Sequence, residues 1–373
     1  MSLGAAHIRT ILATAVQEGV VPGVVVLASA AGQIRLCEFA GSSEIQPSSR
    51  LTHRHTVWDL ASLTKPLVTS LLVMQAIAQG VLDLDEPIGA APAQADPATA
   101  NAMTVRLALA HAAGLAAHLP FWSDVLGPLG QGAGTPAARA AVVAAAGRTP
   151  LACPPGSRSI YSDLGFILLG DLLERRHGLR LDQLATARLG PPFGSAALHY
   201  RPVGVVNPSA DIAVTDFSPI RQRLLQGEVH DPNALAMGGV AGHAGLFGDV
   251  EAVATVVHRL LAARRGTGLV AGEPPLVDAA VLRQFWTPAG VPGSTWRLGW
   301  DGPSASGSLA GDRITRQAVG HLAFTGCSLW IDPERESFVV MLSNRVNPAA
   351  DARVARLRRA CNDAALDAIG YPA

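Results

Sequence analysis

The chain has 373 residues, enough for two lobes around a shared cleft. Hydrophobic residues make up 49% and charged residues 16%, which supports a large core and excludes a disordered chain. The 29 basic residues balance the 29 acidic ones, and neither sign runs in blocks, so nothing steers the chain to nucleic acid or an acidic membrane.

Cys37, Cys153, Cys327 and Cys361 have neither metal-site nor disulfide-scaffold spacing and read as reduced thiols, mostly buried. No stretch of about 18 uninterrupted apolar residues occurs, so no membrane-spanning helix is expected. The N-terminus lacks a basic segment followed by an apolar core. The expected location is cytoplasmic, or periplasmic if a leader has been removed.

Of the 29 basic residues, 28 are Arg and one is Lys, at position 65. Arginine stays charged, whereas an amine can be desolvated into a base. A chain that fills its surface with Arg keeps Lys65 where Arg will not serve.

In chain order, Ile8, Ile11, Leu12 and Val16 predict an amphipathic helix over 5–18. Gly23 to Ala28 and Gln33 to Phe39 predict a hairpin turning at Ala31 and Gly32. Leu67, Val68, Leu71, Leu72, Met74 and Ile77 predict a buried helix ending at Gly80. Residues 88–235 lack strong strand runs, and helices are expected at Val105–Ala112, Thr135–Ala146, Asp163–His177 and Asp182–Leu189. Asp163 is the expected N-cap of its helix. A helix over 250–264 follows, then strands at Trp296–Trp300, Ser328–Ile331 and Phe338–Leu342, and a last helix over 350–369. With strands at both termini and helices between, the fold class is α/β. An antiparallel sheet flanked by helices comes from both chain ends and carries an inserted all-helical lobe. Residues 1–80 and 235–373 form the α/β lobe and 81–234 the insert, with the active site in the cleft between them.

Ser62 and Lys65 stand three apart at a helix start, so they share a face. The free N–H groups and partial positive charge of a helix N-terminus favour a developing anion there. Serine needs a neighbour to take its proton, and a packed lysine is a candidate base.

Asp59 to Lys65, read as DLASLTK, resembles the SxxK motif of the serine β-lactamase and penicillin-binding-protein family. Tyr161-Ser162-Asp163 resembles the Tyr-x-Asn motif of its class C-like branch. Tyr161 is one of only three tyrosines. Gly320 to Gly326, read as GHLAFTG, resembles the third motif, Lys-Thr-Gly or His-x-Gly, with His321 at the cationic position; Thr325-Gly326 offers a register three residues later. His111 to Leu115 and Gly238 to Phe247 resemble flanking stretches of the same family.

The resemblance implies a serine hydrolase that acts on small esters or amides through an acyl-enzyme on Ser62. Lys65 and Tyr161 move the proton, Asp163 and His321 support them, and the N–H groups of Ser62 and Phe324 form the oxyanion hole. Ala323 and His243 line the substrate cleft. The partner is a small-molecule or peptide substrate, and no cofactor or metal is implied. Two residues depart from the family. Asp163 replaces Asn, which stabilises a Lys65 ammonium and shifts the burden of base catalysis to Tyr161. Ala323 replaces Gly and narrows the cleft. With His321 in place of Lys, these departures predict weak or no β-lactamase activity, and they motivate one alternative, a module that binds peptidoglycan or β-lactams without turnover; the other alternative is a β-lactamase with real cephalosporinase activity. His53, His55 and His118 carry no metal-type spacing, His230 reads as a structural histidine on a loop at the cleft mouth, and no GxSxG elbow or P-loop occurs.

Overall fold

A computed structural model describes residues 3–44, 50–89, 97–204, 211–344 and 352–372. Helix α1 (Leu3–Gln17) follows the expected period and buries Ile8 and Leu12. Strands β1 (Gly23–Ala30) and β2 (Gln33–Gly41) form the predicted hairpin. Ala31 and Gly32 both take positive φ, 49° and 75°, in the two-residue turn whose twist suits paired strands.

Three C-terminal strands complete the sheet: β3 (Val319–Leu322), β4 (Ser328–Asp332) and β5 (Ser337–Ser343). The order is β2-β1-β5-β4-β3, antiparallel throughout. The chain ends meet where β1 pairs with β5, Val24 opposite Ser343.

Alternation along β1 divides the core. Val24, Val26 and Ala28 pack with α1 and the last helix, Ala352–Ala368. Val25 and Leu27 join the larger cluster on the other face, which includes Val253 and Val257 of the helix Val250–Arg264. That cluster continues into the insert through Leu109, Phe166 and Leu169, so sheet and insert share one core.

The helix after Lys65 is buried, as its all-round apolar pattern predicts, but its first turn is not α. Ala61–Leu63 is a 3₁₀ turn, Lys65–Ser70 is π-helical, and regular α-helix begins only at Leu71. π-Turns recur at functional sites because they redirect side chains. The window Ala61–Ala78 is long and apolar enough to cross a membrane, yet 78% of it is buried inside the protein. It is the core helix, and Lys65 and the hydroxyl residues of that window broke up the apolar run in the sequence.

Three expectations need correction. Asp163 is not the N-cap of Asp163–His177: Ser162 caps it, accepting from the Gly165 N–H, which leaves the Asp163 carboxylate for other partners. Trp296–Trp300 is not a strand. Gly299 turns the chain at φ 79°, the backbone bridges to the sheet just after the segment, between Asp301 and Gly320, and the Trp296 ring packs on His321 of β3 at 5.5 Å. The insert is not all-helical: Leu198–Tyr200, Val214–Ser218 and Arg223–Gln226 are short strands. Runs of three to five residues are too short to show a period of two in sequence.

The loop at Gly242 lies directly on the helix Asp163–His177. A Cβ at Gly242 would stand 2.1 Å from the Phe166 carbonyl oxygen and 3.1 Å from the Gly170 Cα. Both obstacles are backbone, so Gly242→Ala is expected to cost about 1–3 kcal/mol. A urea midpoint measures this; an unchanged midpoint would mean that the loop moves aside freely.

Candidate active site

Ser62 sits on the 3₁₀ turn that precedes the core helix, and a buried carboxylate shapes that turn. Asp59 accepts the Ala61 N–H on one oxygen (2.9 Å) and the His230 N–H on the other (2.8 Å). This holds Ala61 at φ 44°, in the left-handed region that residues with a Cβ avoid. Ser62 is thereby turned out of the core into a cavity of about 570 Å³.

Lys65 is fully buried beneath it. Its Nζ donates to Ser62 Oγ at 3.1 Å, to Asp163 Oδ1 at 2.7 Å and to the His243 carbonyl at 3.2 Å. Three acceptors for three N–H bonds fix an ammonium. Burial alone would lower the Lys65 pKa, but the Asp163 carboxylate and the Tyr161 phenol outweigh it and hold the amine above the ordinary lysine range. Lys65 is therefore protonated at rest, as the Asp-for-Asn departure implied.

Asp163 is bonded on both sides. Oδ1 takes Lys65, and Oδ2 lies 3.1 Å from His118 Nδ1. Burial opposes its charge, but Lys65 and His118 prevail and hold its carboxyl far below the carboxylate range. The bond from Asp163 raises the His118 pKa against the opposing effect of burial. The His118 loop is pinned there. Ser162 Oγ donates to the Ala116 carbonyl (2.6 Å), the Asp163 N–H to the Ala117 carbonyl (2.9 Å) and Asn233 Nδ2 to the Leu119 carbonyl (2.9 Å).

Tyr161 leaves its ring 36% exposed along the cavity wall. Its phenol is nonetheless desolvated. Burial raises its pKa, while Lys65 and a hydrogen bond with Ser62 pull the other way without winning. The ring is wedged by His111 (4.7 Å between centroids) and by Trp296, which stacks at 5.5 Å and 24°. His111 Nδ1 accepts the Ser162 N–H at 3.0 Å, which ties this wedge to the helix start.

On the facing wall, His321 and Ala323 lie at the end of β3 and line the cavity. Thr325 instead faces inward and donates to the Asp59 carbonyl at 2.8 Å, so the earlier register is the one that presents a histidine to the cavity. His321 Nδ1 lies 2.7 Å from the Leu322 carbonyl, an acceptor, so Nδ1 carries the hydrogen. Nε2 is buried and has no partner among the described residues. Burial, reinforced by Lys65, pushes the His321 pKa down to about 3, so this imidazole is neutral and not cationic.

Phe324 also lines the cavity and stacks on His230 at 5.2 Å. Its turn is gripped from behind by the buried Arg358, which donates to the carbonyls of Ala323 (2.6 Å), Gly326 (3.1 Å) and Cys327 (3.1 Å). His243 lines the cavity too, with Nε2 2.8 Å from Asp231 Oδ1.

The structure thus gathers Ser62, Lys65, Tyr161, Asp163, His243, His321, Ala323 and Phe324 around one cavity. Sequence reasoning missed His118, Asp231 and Trp296, and it noted His111 only as part of a flanking stretch. His118, Asp163 and Asp231 bring ligand-type atoms within 4.8 Å of one another. The Lys65 ammonium, 2.7 Å from Asp163, opposes a metal ion there.

The family model described as Beta-lactamase matches residues 8–363. The chain belongs to the beta-lactamase family. It is a serine hydrolase of the β-lactamase-related kind, and its α/β fold is the β-lactamase/transpeptidase one. A protein of Escherichia coli (strain K12), named "Putative D-alanyl-D-alanine carboxypeptidase", is 30% identical over 79% of this chain and 71% of its own length. Among solved structures, EstCE1, a hydrolase with promiscuous acyltransferase activity, superposes with a TM-score of 0.74 at 20% identity, covering 99% of this chain and 98% of that one. The octameric penicillin-binding protein homologue from Pyrococcus abyssi gives 0.69 at 19% identity, covering 94% of this chain and 75% of that one.

Proposed function

We propose that this member of the beta-lactamase family cleaves small esters and amides through an acyl-enzyme on Ser62, with weak or no β-lactamase activity. The observation that carries this reading is Lys65 Nζ 3.1 Å from Ser62 Oγ, inside a cavity whose lining offers no uncommitted Lys or Arg.

Ser62 Oγ attacks the carbonyl carbon. Lys65 is already protonated, so the proton passes through Tyr161: its oxygen takes the Ser62 proton while its own proton goes to the leaving oxygen or nitrogen. No free phenolate forms, and the Lys65 ammonium steadies the charge in transit. The N–H groups of Ser62 and Phe324 hold the oxyanion. Water then retraces the path and releases the acid, restoring Ser62.

A β-lactam or D-Ala-D-Ala peptide brings a carboxylate to the third-motif wall. A neutral His321 gives it no counter-charge, and the Lys65 ammonium, paired with Asp163, has none to spare. The test is one preparation assayed with p-nitrophenyl butyrate, a chromogenic cephalosporin and a D-Ala-D-Ala peptide, with intact mass recorded after each. The ester kcat/KM is expected to exceed the cephalosporin value by about tenfold or more. A covalent serine probe should add mass to the wild type and none to Ser62→Ala. A cephalosporin value equal to the ester value would reject the preference, and labelling at another serine would reject the assignment.

A further inference from the structure

We propose that the cavity is built for a substrate with an ammonium group next to its acyl carbonyl, as in esters and amides of amino acids with a free amine, and that Asp231 is its counter-ion. This rests on the acyl-enzyme reading and names the substrate class of that site.

Asp231 caps the short helix Pro232–Ala236 and lines the cavity. Its Oδ1 is committed to the Ala234 N–H at 2.7 Å and His243 Nε2 at 2.8 Å. Its Oδ2 has no partner among the described residues. The carboxylate is ionised: burial opposes the charge, but His243 and the Ala234 N–H override it and hold the pKa below the ordinary range. Asp163 answers the Lys65 ammonium, whereas Asp231 is paired with imidazoles, His243 on its Oδ1 at 2.8 Å and His118 within 4.8 Å, and no described Arg or Lys lines the cavity beside it.

His321 on the opposite wall makes the same demand independently. It is 1% exposed, and its Nε2 is a lone pair with no partner among the described residues, because Nδ1–H is donated to Leu322. A lone pair buried in a substrate cavity is matched by a ligand N–H or O–H, and a carboxylate, which only accepts, cannot supply one. Between these walls stand the ring faces of Trp296 and Tyr161, which attract cations. No Lys or Arg is among the described residues that line the cavity; Lys65 beneath it and Arg358 behind the Phe324 turn make their bonds inside the protein. Carboxylate, lone pair and aromatic faces together select a cationic donor and reject an anion.

The spacing places this counter-ion close to the chemistry. A ligand-type atom of Asp231 lies within 4.8 Å of one of Asp163, and Asp163 is one lysine away from Ser62. An α-ammonium, two bonds from the carbonyl carbon, keeps its charge next to the reacting centre, on the side of the cavity that Asp163 and Asp231 share.

The test uses three methyl esters of one size class: alanine methyl ester as each enantiomer, N-acetylalanine methyl ester and monomethyl succinate. Acid release is followed by liquid chromatography and mass spectrometry on enzyme titrated with a fluorophosphonate probe. One alanine enantiomer is expected to show kcat/KM about tenfold above the N-acetyl ester, and the succinate is expected to be slowest. Asp231→Asn keeps the helix cap and removes the charge. It is expected to lower the ratio of free-amine to N-acetyl turnover by about tenfold, a within-sample ratio that folding yield does not move. Equal rates for the free and acetylated amine, or an unchanged ratio in Asp231→Asn, overturn the ammonium site while p-nitrophenyl butyrate turnover still upholds the acyl-enzyme. Failure of every ester, with no probe on Ser62, overturns both.

Discussion

Lys65→Met is expected to lower kcat/KM for p-nitrophenyl butyrate by about a thousandfold or more, and to destabilise the fold by about 3–5 kcal/mol. Both effects come from one removed charge. Lys65 is 0% exposed, and its ammonium is bonded to Ser62, Asp163 and the His243 carbonyl. Methionine fills much the same volume, so little of the loss is packing. What remains is the Asp163 carboxylate, 16% exposed, with imidazoles, His118 at 3.1 Å and the more distant His243, in place of an ammonium to answer it. Removing one partner of a buried pair leaves the other charge uncompensated, which costs more than the pair was worth. The catalytic loss follows because Tyr161 would pass the proton with no cation beside it, and its phenol is already pushed up by burial. Urea unfolding and ester kinetics on one preparation measure both. A variant that keeps a tenth of wild-type activity would show that Tyr161 and Ser62 work without the ammonium.

The nucleophile was legible in sequence because its chemistry is local. Ser62 and Lys65 are three residues apart, and the scarcity of lysine marks the pair. The sheet was legible because β1, β4 and β5 are long apolar runs with clear turns: Asp332 closes the last one by accepting the Glu334 and Arg335 N–H groups. The resemblance supplied Tyr161, Asp163 and His321, which no period or spacing singles out. The rest of the cavity was not legible. His118, Asp231 and Trp296 reach it from separate loops that only the fold brings together, and each taken singly resembles an ordinary surface residue. Arg358 is a stronger case. It sits in the last helix among several arginines, and nothing marks it as the one that holds the turn carrying Phe324. Trp296–Trp300 was misread for a related reason: alternating apolar residues belong equally to a strand and to a loop that covers a core, and Gly299 decides between them.

Asp163→Asn is expected to bring the Lys65 pKa below the ordinary lysine value by more than about one unit, and to bring into the ester kcat/KM–pH profile a rising limb that follows this amine and that the wild type, with Lys65 protonated, lacks. In the wild type, burial favours a neutral amine, and the Asp163 charge is the main force against it. An asparagine still accepts the hydrogen bond through its carbonyl but contributes no charge, so burial prevails. Because Lys65 is the only lysine, a sample labelled at the lysine side chain gives one Nζ or Cε signal, whose titration reports this residue alone. Stability follows the same pair with two signs. Asp163 has a depressed folded pKa, so its contribution is present above the ordinary carboxylate pKa of about 3.9 and is lost as pH falls below it. Lys65 has a raised folded pKa, so its contribution is present below about 10.4 and is lost as pH rises past it. The stability gap between wild type and Asp163→Asn is therefore expected to be widest at about pH 5, to narrow as His118, whose pKa Asp163 raises, loses its proton, and to close further below about pH 4 and above about pH 9. With a neutral amine available, the variant has a second route for the Ser62 proton, directly to Lys65 instead of through Tyr161. Tyr161→Phe should then cost the Asp163→Asn background less than it costs the wild type. Equal losses in the two backgrounds, or a Lys65 titration that does not move, would show that the carboxylate at position 163 does not choose the path of the proton.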